Sequence, residues 1–163
     1  MDREPAAMKA ADVLFRPTRP LDDPVGRYPG FQPGTTTLKA GTVVRPGHLA
    51  LPCDIVFERD VAIPLRDGVT IYADVFRPVG GRDLPAIVAW SPYGKQGGFE
   101  ELDHMPFRAG VPKTAVSGLQ KFEGPDPAYW CAHGYAIVNV DARGAFMSEG
   151  DVYFWGTQDG RDG

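Results

Sequence analysis

A chain of 163 residues with a net charge of −4 is long enough for one domain with its own core, and it has neither the basic footprint of a nucleic-acid binder nor a basic membrane patch. Hydrophobic residues make up 43% and charged residues 23%, ordinary values for a globular chain, whereas 20 glycines and 16 prolines predict many loops. No apolar run reaches membrane-spanning length and the N-terminus lacks the apolar core of a secretory signal, so the expectation is a soluble, cytoplasmic protein.

Residues 1–52 are punctuated by Asp22-Asp23-Pro24, Tyr28-Pro29-Gly30 and Gln32-Pro33-Gly34, all turn signals, with no sustained helix or strand period. Two readings stand: a flexible leader, or an ordered arm wrapped over a domain and anchored by Phe15, Tyr28 and Phe31. The domain proper is placed at residues 53–163. Cys53 and Cys131 are far apart and lack Cys-x-x-Cys spacing, which predicts two separate buried thiols rather than a disulfide or a metal site.

Ile55 to Ile63 reads as a first strand with imperfect alternation. Val69 to Phe76 follows, with Val69, Ile71, Ala73 and Val75 on one face and Thr70, Tyr72, Asp74 and Phe76 on the other. The intervening Asp67-Gly68 predicts an antiparallel hairpin. Ala86 to Trp90 is a short apolar run bounded by Pro85 and by Ser91-Pro92, the pattern of a parallel strand buried on both faces. It stops at a turn holding Tyr93 and Gly94. Loops at the carboxyl ends of parallel strands are where open α/β sheets put ligand chemistry.

Gly94 to Gly124 shows no clear period, and its acidic Glu100-Glu101-Leu102-Asp103-His104 run reads as a solvated face. Pro125 to Gly134 has helix punctuation: Asp126 as N-cap or first-turn acid, proline in the first turn, Gly134 at the C-terminal cap. Tyr135 to Asp141 is a second buried strand ending at Ala142-Arg143-Gly144. Strand, crossover helix and strand make one parallel βαβ unit. No third parallel strand follows, so the sheet is expected to have an open apolar edge, as in a chain that ends before its fold is complete.

Four ordered pieces resemble the α/β-hydrolase fold, and within it the cocaine-esterase-like and X-prolyl dipeptidyl-peptidase-like serine hydrolases. They are Val61-Ala62-Ile63-Pro64-Leu65-Arg66-Asp67-Gly68-Val69, Ala73-Asp74-Val75-Phe76-Arg77-Pro78, Ser91-Pro92-Tyr93-Gly94-Lys95, and Gly134 through Gly144 with Ser148-Glu149-Gly150. The resemblance covers about Ile55 to the C-terminus and implies an incomplete α/β-hydrolase: an antiparallel hairpin, then one βαβ unit, preceded by the Pro/Gly-rich arm. It also implies acyl transfer to a serine without a cofactor, a small-molecule ester or amide substrate, and Tyr93 as the hydroxyl donor of the oxyanion hole. Read without the family, Tyr93 is as well a residue packed at a strand end.

The same comparison exposes a gap. A Gly-x-Ser-x-Gly elbow belongs on the next strand-to-helix turn. The three serines, Ser91, Ser117 and Ser148, all lack that context, so nucleophile, acid and base are absent from this stretch. The chain alone is expected to be inactive, with a non-catalytic remnant or interaction module as the alternative. Of the three histidines, His48, His104 and His133, only His133 invites a role, as a partner of a helix C-terminus. No ligand spacing for a metal occurs. Arg143 reads as a structural ion-pair former, Gly144 as a backbone requirement and Asp141 as a turn former. Oligomeric state is not set by any of these features.

Overall fold

The computed structural model describes residues 14, 16–17, 19–24, 28–91, 93–95, 102–103, 105–152 and 156–163, with only the backbone of Ser91. Five strands form one mixed sheet: β1 (Gly34–Leu38), β2 (Ile55–Pro64), β3 (Thr70–Pro78), β4 (Ala86–Ser91) and β5 (Ala136–Asp141), in the order β1-β2-β3-β5-β4. The helices described are short: α1 (Pro127–Ala132), α2 (Asp159–Asp162) and two 3₁₀ turns at Pro106–Gly110 and Lys113–Ala115. None is long and apolar enough to cross a membrane.

The expected hairpin forms. β2 and β3 pair antiparallel from Ile55↔Pro78 to Pro64↔Thr70, and Gly68 takes φ +88° in the turn between them. The imperfect alternation of β2 has a physical cause: the register shifts between Glu58 and Val61, and Asp60 sits in the bulge at φ 51°. A bulge re-aims a side chain, and aspartate tolerates the left-handed region better than most residues. The βαβ unit forms too. β4 and β5 are parallel, from Ala86↔Ala136 to Ser91↔Asp141, and α1 lies between them in sequence. Asp126 caps α1 by accepting from the Ala128 amide at 3.1 Å, Pro127 opens it, and Gly134 at φ +82° ends it.

Two apolar cores follow from the period of two along the strands. Ile55, Phe76 and Ile137 face Ala128 and Cys131 of α1, together with Leu51. Ile71, Ala73 and Val140 form the core of the opposite face, with Trp90, Val138 and Ile63 packed against them. Both thiols are free, but only Cys131 is buried: Cys53 is half-buried, and the two are not separate, because Cys53 packs against the same cluster that buries Cys131. Burial pushes the Cys131 thiol up to about 12.

Two expectations are corrected. Residues 34–38 of the arm are a strand, paired antiparallel with β2, and Val43 bridges Ala50. From residue 28 the arm is ordered and anchored: Tyr28 stacks on Phe146 at 5.3 Å, Phe31 meets Tyr72 edge-on at 5.0 Å, and Leu51 is buried. β1 shows no strand period in the sequence because four of its five residues are exposed, so there is no apolar face to alternate. Phe15 lies outside the described residues. The second correction concerns β4. It is not buried on both faces, since Val88 is 57% exposed; its place at the edge of the described sheet, beyond β5, is the open apolar edge that the sequence predicts. An apolar strand reads the same whether its neighbours are present or absent.

An unpaired apolar edge is an association hazard. The chain is expected to self-associate at micromolar concentration and to bind a hydrophobic dye, while Val88→Lys shifts it toward monomer. Sedimentation velocity checks this: a wild-type monomer with a sharp two-state melt would contradict it.

Candidate active site

Tyr93 begins from the end of β4. Its loop is held from below by glycine geometry: Gly94 takes φ +83°, and a Cβ there would collide with the Phe146 ring. Only glycine fits between the strand end and that ring. Tyr93 itself is 53% exposed, and its ring meets Phe122 edge-on at 5.3 Å. The Tyr93 ring thus follows the carboxyl end of the edge strand and is about half exposed.

Directly behind it lies the most charged part of the interior. Lys95 turns inward, its side chain fully buried, with Nζ 2.5 Å from Asp60 Oδ1 and 3.5 Å from both Asp74 Oδ1 and Asp141 Oδ2. Its backbone N–H donates to Asp141 Oδ1 at 2.6 Å. Asp60 N–H donates to Asp74 Oδ1 at 3.0 Å, and Gln32 N–H of the arm donates to Asp60 Oδ2 at 2.6 Å. Burial works against the ammonium, yet the three carboxylates hold the Lys95 pKa above the ordinary lysine value. For Asp74 and Asp141 burial is the largest effect: Asp74 is raised and Asp141 is lifted to about 6.

The sequence did not single out this cluster. Asp60 and Asp74 sit inside strand patterns and Asp141 reads equally well as a turn former. The available signal was that charged residues are seldom buried unless paired, so acids within apolar strands call for a lysine or arginine. Lys95 in Pro92-Tyr93-Gly94-Lys95 was the candidate.

The remaining predicted residues are brought to other places. Arg143 forms a structural ion-pair network at the far side of the β5 turn. Its Nε and a terminal nitrogen donate to the two carboxylate oxygens of Asp162 at 2.7 and 2.8 Å, and a terminal nitrogen donates to Asp67 Oδ2 at 2.8 Å. Gly144 is a backbone requirement, since at φ +73° a Cβ would lie 2.7 Å from the Val152 nitrogen. Ser148 is buried, donating to the Asp141 carbonyl at 2.8 Å and accepting from the Tyr72 amide at 3.0 Å. Ser117 is buried and donates to Asp126 Oδ1 at 2.5 Å. His133 places Nδ1 2.7 Å from the Tyr129 carbonyl at the end of α1. His48 is buried beside Val116, and desolvation lowers its pKa. Of the acidic run, Asp103 is exposed and pairs with Arg108 and Lys113. Glu100, Glu101, His104 and the side chain of Ser91 lie outside the described residues. Among the described residues no group of His, Cys, Asp or Glu has the arrangement of a metal site.

Comparison with known proteins decides the family. The model of the X-Pro dipeptidyl-peptidase (S15) family matches residues 67–163, more than half of the chain. The chain belongs to this family. It is 29% identical over 92 residues to cocaine esterase of Rhodococcus sp. (strain MB1 Bresler), which is 56% of this chain and 13% of that protein. It is 48% identical over 68 residues to an Aspergillus ustus protein named L-tyrosine:2-oxoglutarate aminotransferase ucdG, 41% of this chain and 13% of that one. Two crystal structures of a CocE/NonD family hydrolase from Staphylococcus aureus superpose over 80% of this chain and 22% of theirs, with TM-scores of 0.60 at 25% identity and 0.64 at 24%. The S15 chain thus spans 13% of the length of both curated relatives, and its sheet matches the corresponding part of an α/β-hydrolase.

The charged cluster generates a pH prediction. Asp141 is lifted to about 6 from 3.8, so between about pH 4 and 6 the folded chain holds a proton that the unfolded chain has released. Stability from this group is present at low pH and is lost as pH rises through about 6, by at most about 3 kcal/mol. In a Val88→Lys background, the melting-temperature advantage of the parent over Asp141→Asn should shrink from pH 4 to pH 7. A pH-independent difference would show that Asp141 ionises as an ordinary surface carboxylate.

Proposed function

We propose that this chain is the N-terminal part of a serine hydrolase that cleaves ester or amide bonds, acyl or X-prolyl dipeptidyl, through an acyl-serine intermediate, with Tyr93 donating its hydroxyl to the oxyanion. The observation that carries the reading is the S15 match across residues 67–163, which includes the Tyr93 loop at the carboxyl end of β4. The family acts on small-molecule esters and amides, a chemistry that needs no cofactor. A tetrahedral intermediate develops negative charge on its former carbonyl oxygen, and a fixed O–H donor in a water-poor site lowers that barrier by roughly 3 kcal/mol. With Tyr93 53% exposed, the water-poor site requires chain beyond these residues to cover the open side of β4. Substrate pockets would come from that same covering.

A second reading is a non-catalytic remnant or interaction module of the same fold. It is favoured by the serines: Ser117 and Ser148 are buried and committed to hydrogen bonds, and no Gly-x-Ser-x-Gly turn occurs. Both readings agree that the chain by itself hydrolyses nitrophenyl acetate no faster than buffer. Labelling of Ser91, Ser117 or Ser148 by an active-serine phosphonate would overturn that expectation.

The two readings part in a chain extended by the portion its relatives carry. There, Tyr93→Phe should lower kcat by roughly 100- to 1,000-fold with KM little changed. Its stability should shift by only about 1 kcal/mol, because one hydrogen bond is involved. Should Tyr93 serve packing alone, kcat stays within about threefold in Tyr93→Phe, while Tyr93→Ala lowers the melting temperature. Steady-state kinetics and melting curves of both variants decide between them, and an extended chain without activity would favour the remnant.

A further inference from the structure

Lys121 is a second buried lysine that neither the proposed chemistry nor the Lys95 cluster uses. It is 3% exposed and lies on the turn Lys121–Gly124, closed by the Gly124 amide donating to the Lys121 carbonyl at 3.1 Å. The turn is built around its side chain. A Cβ at Gly124 would lie 2.5 Å from Lys121 Cγ, so glycine leaves the space through which the lysine passes inward. Its Nζ donates to the carbonyl of Ala89 at 2.9 Å and reaches that of Gly94 at 3.5 Å. One carbonyl belongs to the end of β4 and the other to the residue after Tyr93. The next residue, Phe122, places its ring against that of Tyr93. A single turn therefore supplies both a cationic clamp across the base of the Tyr93 loop and an aromatic wall beside its ring.

We propose that Lys121 is the positioning residue of the Tyr93 loop: its ammonium ties the two ends of the loop together and so fixes the direction in which the tyrosine hydroxyl points. The inference rests on the reading of Tyr93 as a donor for its meaning in catalysis, but the clamp itself is a property of this chain. The physical need is specific. β4 is an edge strand, so its terminal loop is held by a strand on one side only. A hydrogen-bonded charge supplies the missing restraint, since a charge-assisted bond to a carbonyl is stronger than a neutral one. Burying that charge is unfavourable, which is reflected in a Lys121 pKa pushed down to about 8, with the Asp141 carboxylate acting in the opposite direction.

Hydrogen exchange read by mass spectrometry on the full chain tests the clamp. Lys121→Met keeps an apolar stem and deletes the ammonium. Exchange in a peptide spanning 88–95 should accelerate by roughly tenfold, the loss of about one hydrogen bond, while peptides from the β2–β3 hairpin stay unchanged. Unchanged exchange at 88–95, or equal acceleration in every peptide, would overturn the proposal. The wild-type chain gives a second measurement that needs no variant. Asp141, at about 6, has already lost its proton by pH 7, and Lys95 is held above the ordinary lysine value, so among the described residues Lys121 is the facing group that changes between pH 7 and 9. After correction for intrinsic rates, protection of 88–95 should fall as pH rises through about 8; flat protection would count against the clamp. Tyr93→Phe should leave this protection intact. A donor reading that fails in kcat is thus separable from a clamp that fails in exchange.

Discussion

Lys95 takes a positive charge into the interior, and much of the structure is arranged to make that tolerable. Removing an ammonium from water costs several kcal/mol even after relaxation, and the cost is recovered only by well-placed opposite charge. The three carboxylates that supply it come from separate parts of the chain: Asp60 from the bulge of β2, Asp74 from the middle of β3 and Asp141 from the end of β5. Gln32 of the arm adds its amide to Asp60. One side chain thus gathers the hairpin, the parallel unit and the arm at a single point. Removing Lys95 would leave the carboxylates buried without their common cation, a far larger penalty than the loss of a surface ion pair.

The local backbone makes sense in this light. Asp60 accepts φ 51° because the bulge is what turns its carboxylate toward Lys95. Gly94 is without a side chain because the chain must pass between Phe146 and the Asp141 carboxylate to bring Lys95 inward. Arg143 provides a second tie, from the turn after β5 to the β2–β3 hairpin turn through Asp67 and to α2 through Asp162. The bidentate geometry with Asp162 raises the arginine pKa further, chiefly through that hydrogen-bonded pair. The two networks flank the carboxyl end of β5, which is where an α/β sheet places its chemistry.

Membership of the S15 family and the open side of β4 describe the same situation from two directions. The chain spans 13% of the curated relatives and 22% of the superposed hydrolase chains. Among the described residues, one edge of its sheet is the strand whose loop bears Tyr93. The ring is supported from behind by Phe122 and by the turn of Lys121, and left open in front.

Local patterns in the sequence determined the elements. Asp67-Gly68 marks the hairpin, Asp126-Pro127 and Gly134 bracket α1, and the ordered motifs from Val61 to Gly150 point to the hydrolase fold, because turn and cap chemistry act over a few residues and are written in consecutive letters. Three other things were decided only by tertiary structure. β1 has no apolar face, so only its pairing with β2 makes it a strand. β4 looks buried on both faces in sequence because hydrophobicity does not record whether a covering layer exists, and the exposure of Val88 appears only in the fold. The Lys95 cluster joins residues 60, 74, 95 and 141, and Lys121 reaches back to the carbonyls of residues 89 and 94. Such long-range charge pairing has no period along the chain; it exists only once burial makes an unpaired charge prohibitive.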